Sequence, residues 1–277
     1  MPHCSAPLAR LAWCLVGTLI ACAIAACSAP SAPPSIPGAS IAEIRARGVL
    51  RVGLRQDLPR FAYLEPMTNR WDGFEVALAR ELAAALLGSA DQLELVRVTD
   101  TQRVPYLRDG SVDIVVAQLT RGTSAEIATS SPYFVSGIGV LVPRERSGAS
   151  LQELTASPVC AVKRSAALDA LRTAAPSADT VLVDAPTECL LALGAGRAGA
   201  MAGDLPSLVR LALEDPSTAI LPTLLREQPL VVGIPLGQSD LLDAVNLALA
   251  ALRQNGRWTA LHRQYFEGLL PAAQPPT

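Results

Sequence analysis

Val49-Leu50-Arg51-Val52-Gly53-Leu54 is a short run of branched aliphatic residues, and it sets the architecture of everything downstream. Its length and composition predict a β-strand, ended by a loop that carries Pro59 and Pro66. Gly73-Phe74 then opens an amphipathic helix over 75–87, with Val76, Leu78, Ala79, Leu82 and Leu86 on one stripe. A second strand is predicted over 93–98, a short helix over 102–107, a buried strand over 112–117 and an extended run over 137–142, stopped by Pro143. The alternation then resumes. Strands are predicted over 158–162, 180–183, 198–202 and 229–234, with helices over 166–173, 186–193 and 205–213 between them and two more, 241–253 and 258–266, at the end.

Strand-helix alternation of this kind means parallel sheets flanked by helices. Two such sets, joined by extended segments, predict two α/β lobes with a cleft between them. In open parallel sheets the carboxyl ends of the strands face the ligand crevice, so the residues just past strands become the candidates: 55–61, 118–122, 163–166 and 203–204.

The other end of the chain tells where it works. Residues 11–26 form an apolar run after Arg10 that finishes Ile24-Ala25-Ala26-Cys27. Small residues just before a cysteine read as a bacterial lipoprotein signal, with 1–26 removed, Cys27 lipidated and a Pro/Ser/Ala-rich tether over 27–43. An uncleaved anchor is the alternative, although the run is shorter than the roughly 20 residues of a comfortable span. Cys22 offers a second processing point. The expected location is therefore extracytoplasmic, at the outer face of the cell membrane, through a lipid anchor.

The roughly 235 residues beyond the tether suffice for one large domain or two modest lobes. With a net charge of −2 and scattered basic residues there is no nucleic-acid footprint. Of six cysteines, Cys4, Cys14 and Cys22 leave with the leader and Cys27 takes the lipid, so Cys160 and Cys189 remain. In an exported domain these two most simply form a disulfide, with two buried thiols as the alternative. His3 leaves too, so His262 is the one histidine beyond the leader, which argues against a Ser-His-Asp triad or a multi-histidine zinc site. No phosphate-binding glycine motif is present. No metal or cofactor is expected.

These segments, in this order, resemble the amino-acid-binding proteins of bacterial ABC importers. The carrying residues are 52–61, Asp72-Gly73-Phe74-Glu75-Val76, the stretch 103–113, Ser131-Pro132-Tyr133-Phe134, Asn255-Gly256 before Trp258, and Tyr265-Phe266. The resemblance implies a type II periplasmic-binding-protein-like fold in which lobe one is 44–140 plus 230–268 and lobe two is 141–229, with 269–277 as a tail. It implies a monomer that closes its hinge on an amino acid and delivers it to an ABC permease, not an enzyme. Asp204 matches the acid that takes the ligand's ammonium group, and a helix N-cap is its alternative role. Asp57 matches a ligand-proximal loop acid. Phe61 matches the aromatic packed on the ligand's aliphatic part, with a core position as the alternative. Arg55 and Arg103 resemble the pair that holds a side-chain carboxylate in glutamate/aspartate-binding members, which favours an acidic ligand, and solvated surface arginines are the bland alternative. Gln118, Thr120, Arg164 and Ser165 complete the expected contacts. Cys160 and Cys189 also resemble paired positions in glutamate/glutamine-binding lipoproteins.

Two departures from the family pattern matter: in lobe two its Gly-Ser/Thr-Thr becomes Arg164-Ser165-Ala166, where Ser165 can still donate and Arg164 adds bulk and charge, and in lobe one its clamping arginine is missing. Thr123 stands where the family carries the arginine that clamps the α-carboxylate, and Arg121 is the neighbouring substitute. Two other readings stay open: a sensory or partner-binding lipoprotein of the same fold, and a cyclohexadienyl-dehydratase-like enzyme using Asp57, Asp204 or Lys163 as acid/base.

Overall fold

Ser40 and Glu43 close a capping box on α1 (Ile41–Arg47): the Glu43 amide donates to Ser40 Oγ at 3.2 Å, and the Ser40 amide donates to Glu43 Oε2 at 2.7 Å. Residues 41–43, read above as tether, are thus the first turn of a helix. The computed structural model describes residues 39–154 and 156–276, all within one compact unit, Ile36–Thr277. The leader and Cys27 lie outside the described residues.

The predicted first strand is β1 (Leu50–Leu54). The loop read after it instead folds as a small antiparallel sheet of β2 (Asp57–Leu58), β3 (Ala62–Glu65) and β4 (Arg70–Asp72). Strands of two to four residues are too short for alternation to register, and Pro59 and Pro66 fall in the connections between them. In α2 (Phe74–Leu87) the predicted stripe is turned inward. Gly73 before it has φ of 126°, and a Cβ there would lie 2.3 Å from the Phe61 carbonyl oxygen, so glycine is required. β5 (Leu93–Arg97), α3 (Arg103–Arg108) and β6 (Ile114–Val115) follow, with β1 paired in parallel to both β5 and β6.

β7 (Ile127–Pro143) is 17 residues long and runs through both halves of the molecule. The sequence showed only its far end, because Pro132 reads as a break. Proline is tolerated here at a register shift in the ladder. The second half contains α4 (Leu151–Leu154), β8 (Val159–Val162), α5 (Ala166–Ala174), β9 (Thr180–Val183), α6 (Pro186–Gly194), β10 (Ala200–Asp204), α7 (Leu205–Glu214) and β11 (Thr218–Ile220). β12 (Arg226–Pro235) returns antiparallel to β7, and α8 (Ser239–Gln254) and α9 (Arg257–Phe266) close the first half.

The strands form one nine-stranded sheet, ordered β5-β1-β6-β12-β7-β10-β8-β9 with β11 on β7. Pairing is parallel among β5, β1 and β6 and among β10, β8 and β9, as the alternation predicts. The antiparallel β7 and β12 weld the two halves into one sheet. They approach so closely that a Cβ on Gly137 would lie 2.0 Å from the Arg226 carbonyl oxygen.

An aromatic cluster of Phe61, Phe74, Phe134, Trp258, His262 and Phe266 fixes α2 and α9 against β7. The Trp258 indole N–H donates to the Tyr133 carbonyl at 2.7 Å, so its polar edge is satisfied. Cys160 on β8 and Cys189 on α6 form a disulfide with Cα atoms 5.5 Å apart. Among the described residues no helix is long and apolar enough to cross a membrane.

Candidate functional site

Arg55 directly follows β1, and each of its three guanidinium nitrogens donates to an aspartate. Nε and Nη2 donate to the two oxygens of Asp57 at 2.8 and 2.7 Å, and Nη1 donates to Asp100 Oδ1 at 2.6 Å. The Asp57 bond holds the guanidinium more firmly protonated than usual, while burial opposes it, and the same bond holds Asp57 below the ordinary carboxylate range. Arg103, at the start of α3, lies 3.3 Å from the same Asp100 oxygen. Its Nη1 donates to the carbonyls of Ala117 and Gln118 at 2.7 and 3.0 Å. Two arginines and two aspartates therefore cancel at the end of β1, and Arg103 fastens the backbone that leaves β6.

That backbone is unusual. Gln118 adopts a left-handed conformation, φ 55°, which costs a non-glycine residue roughly 1–2 kcal/mol. Its side-chain amide donates to Glu75 Oε1 at 2.8 Å. Glu75 is wholly buried. Its Oε1 also accepts the Tyr133 hydroxyl, while Oε2 is buried with no partner among the described residues. Burial pushes the Glu75 carboxyl up to about 7, against the hydrogen bonds from Tyr133 and Gln118, and pushes the Tyr133 hydroxyl well up too. Glu75, Tyr133 and Asp100 escaped the sequence reading. The one available signal was an acid at the start of an apolar helical stripe.

Beyond Gln118, the Thr123 amide and hydroxyl both donate to the Thr120 carbonyl, at 3.2 and 2.7 Å, closing a turn. Arg121 stands exposed on that turn with no acid in ion-pair range among the described residues. It shares a cavity of about 380 Å³ with Thr120, Pro132, Glu227 and Gln228. Asp57 lines a second cavity, of about 690 Å³, opposite Arg210, Leu213 and Glu214 of α7, so the two halves enclose a common hollow there.

The second half offers its own wall. Arg164, just past β8, is exposed and left-handed with φ 54°. Ser165 caps α5: Oγ accepts from the Leu168 amide at 3.2 Å and donates to the Val162 carbonyl at 2.7 Å, so its one proton is committed. Asp204 ends β10 and caps α7 by accepting the Ser207 amide at 3.1 Å on Oδ1. The capping role anticipated as an alternative is thus present, and the exposed carboxylate keeps its other oxygen available. Arg226, which the sequence reading passed over, starts β12 and points Nη2 at the Ala166 carbonyl, 3.5 Å away. Phe61 takes the core position given above as its alternative. It is fully buried in the aromatic cluster, 4.9 Å from Phe266 between ring centres, and presents no surface to a ligand.

Residues 50–268 match the family model of bacterial extracellular solute-binding proteins, family 3. The chain is similar to the glutamine-binding protein of Geobacillus stearothermophilus, at 29% identity over 70% of this chain and 75% of that one. It is similar to the ABC transporter glutamine-binding protein GlnH of Bacillus subtilis, at 26% over 82% and 85%. Among solved structures it resembles an ancestral cationic amino acid solute-binding protein, with TM-score 0.67, 26% identity, and 82% and 99% of the two chains covered. An ancestral cyclohexadienyl dehydratase at 24% identity and TM-score 0.66, covering 82% and 97%, shares the fold. The two α/β lobes expected from the strand-helix alternation, in the type II arrangement that the resemblance implied, are the architecture these structures have. Its crossing strands, its walls at the strand ends and a match spanning nearly all the described residues lead to one assignment: the chain belongs to family 3 of the bacterial extracellular solute-binding proteins.

Proposed function

We propose that this protein captures a polar amino acid outside the cytoplasm and delivers it to an ABC permease. The observation that carries this is Asp204, an exposed carboxylate at the C-terminal end of β10 with one oxygen capping α7 and the other available to an ammonium group. A zwitterion needs an anion for its ammonium and a cation for its carboxylate in a partly dry site. The turn bearing Thr120 and Arg121, Gln118 behind it, and Arg164-Ser165 are the remaining walls.

The side chain we favour is neutral and polar, of the glutamine class. Arg55 and Arg103, expected to receive a side-chain carboxylate, are already neutralised by Asp57 and Asp100, so an acidic ligand would have to displace an aspartate. The names of the relatives from Geobacillus stearothermophilus and Bacillus subtilis support the same choice. Binding is preferred to dehydration because a general acid must face its substrate. Among the described residues the one carboxyl pushed up toward neutrality, Glu75, is wholly buried, and Arg55 holds Asp57 below the ordinary carboxylate range. The chain acts as a monomer, held to the membrane through lipid on Cys27 and free to meet the permease on its tether.

Calorimetric titration of the purified protein with each common amino acid tests this reading. Saturable heat with glutamine, and at least about tenfold weaker binding of glutamate, is expected. No heat with any amino acid refutes it and leaves the sensory or partner-binding role. Labelling with radioactive palmitate that is lost on Cys27→Ala tests the anchor.

A further inference from the structure

The α-carboxylate of the ligand needs a cation, and the arginines at the end of β1 are spent. We propose that Arg226, on the second crossing strand, supplies it. This rests on the amino-acid reading above and adds which side chain holds the carboxylate, from which half.

The sheet register carries the argument. Ile138 of β7 is paired with Arg226 of β12 on one side and with Asp204 of β10 on the other. Directly opposed residues in antiparallel ladders project from the same face, so Arg226 and Asp204 flank Ile138 on one face of the sheet. That face is the one covered by α5, since Ile138 packs in a cluster with Ala167 and Leu168. The Arg226 guanidinium lies accordingly at the first turn of α5, 3.5 Å from the Ala166 carbonyl. Among the described residues no carboxylate lies within ion-pair range of Arg226, in contrast to Arg55 and Arg103.

The spacing suits a dipolar ligand. Two strand separations put the Cα atoms of Asp204 and Arg226 roughly 9–10 Å apart. An α-amino acid has about 3 Å between its nitrogen and carboxylate oxygens. Adding two hydrogen bonds of about 2.8 Å asks for about 8–9 Å between the Asp204 oxygen and the Arg226 nitrogens, a side-chain separation within reach of two residues whose Cα atoms stand two strands apart on one face. The Leu168 amide in the first turn of α5 is capped by Ser165, and the positive end of this helix near the Arg226 guanidinium favours an anion there. Both ends of the ligand backbone would then be held by one row of the sheet, Asp204–Ile138–Arg226, with the first half closing over the side chain.

The test compares glutamine with its α-amide, which lacks the carboxylate charge, in the wild type, Arg226→Ala and Arg226→Lys, with Arg172→Ala on the outside of α5 as a surface control. Losing one charge-assisted contact should weaken glutamine binding about 10- to 100-fold in Arg226→Ala. The wild-type preference for glutamine over its α-amide should collapse in that variant, and Arg226→Lys should restore part of it. Circular dichroism and melting temperature close to wild type keep the comparison one of folded proteins, and Arg226→Lys carries it alone should the alanine variant misfold. Unchanged glutamine affinity in Arg226→Ala overturns the assignment, as does an equal loss for glutamine and the α-amide. A collapse of the preference in Arg121→Ala instead also overturns it and moves the anchor to the first half. Failure of the wild type to bind any amino acid is a separate result and sinks the underlying reading.

Discussion

Glu75 sits in the body of the protein with a carboxyl pushed up to about 7 from 4.5, chiefly by desolvation. The folded state thus holds this proton more tightly than the unfolded chain does. The stabilisation is fully present below about 4.5, the unfolded value, and is lost as pH rises through about 7. A difference of 2.5 pH units at 1.36 kcal/mol each amounts to about 3 kcal/mol. Full burial means no discount for solvent screening. Glu75→Gln removes the titration while keeping the shape. Its amide oxygen can accept the Gln118 and Tyr133 donors, and its NH₂ occupies the place of Oε2, as unpartnered as the carboxyl O–H it replaces. Urea unfolding of both proteins at half-unit steps from pH 4.5 to 8.5, extrapolated linearly, gives the difference curve in which every shared titration cancels. The two proteins should be close at the acid end, with the variant gaining up to about 3 kcal/mol relative to wild type above pH 7.5. Parallel curves across the whole range would show that Glu75 keeps an ordinary carboxylate affinity for its proton, and the desolvation argument would fall.

Three further outcomes follow from the same geometry. Replacing Cys160 and Cys189 by alanine opens a loop of sequence separation 29, worth about 3.6 kcal/mol on the chain-entropy account, so the melting temperature should fall by roughly 7–14 °C; a calorimetric scan within 1–2 °C of wild type contradicts this. Gly137→Ala places a Cβ 2.0 Å from the Arg226 carbonyl, and separating β7 from β12 to relieve it should cost roughly 2–3 kcal/mol, read from the urea midpoint. Asp204→Asn keeps an equivalent helix cap but removes the charge, so stability should stay within about 0.5 kcal/mol while glutamine affinity falls about 10- to 100-fold. Equal losses of stability and affinity in that variant would mean that Asp204 serves α7 alone.

Much of the fold was legible because its elements are long enough to show a period. The stripe of α2, the branched run of β1 and the spacing of the second set of elements each carry local signals. Counting left Cys160 and Cys189 as the simplest disulfide, with two buried thiols as the alternative, and the structure has the bond. What stayed hidden is either too short or non-local. β2, β3 and β4 hold two to four residues apiece, below the length at which alternation means anything. The near half of β7 was masked by Pro132, whose tolerance depends on a register shift against β12. Asp100 gave no signal at all, since its role is to receive Arg55 and Arg103 from different elements. Arg226 was cut off from its strand because Pro229 reads as a beginning, and only the pairing with Ile138 shows which face it takes.

Among the described residues Arg60, Asn69, Gln118 and Arg164 are left-handed without being glycine, and two of them border the candidate site. Of these, Gln118 lies three residues past β6 and Arg164 two residues past β8, one in each half. A glycine or asparagine would hold either conformation with less strain. Glutamine at 118 instead sends an amide to a buried acid that is itself costly to desolvate. Stability alone would select against that combination, so the cost has to be matched by what the conformation presents: a strand-end carbonyl clamped by Arg103 and a turn carrying Thr120 and Arg121 toward β12. In the second half two candidate residues double as helix caps, Ser165 on α5 and Asp204 on α7. Rule-breaking backbone on one wall and capped helix starts on the other are where a folded scaffold gives up stability for a binding surface. Asp204→Asn keeps the α7 cap while removing the charge, so it separates binding from folding.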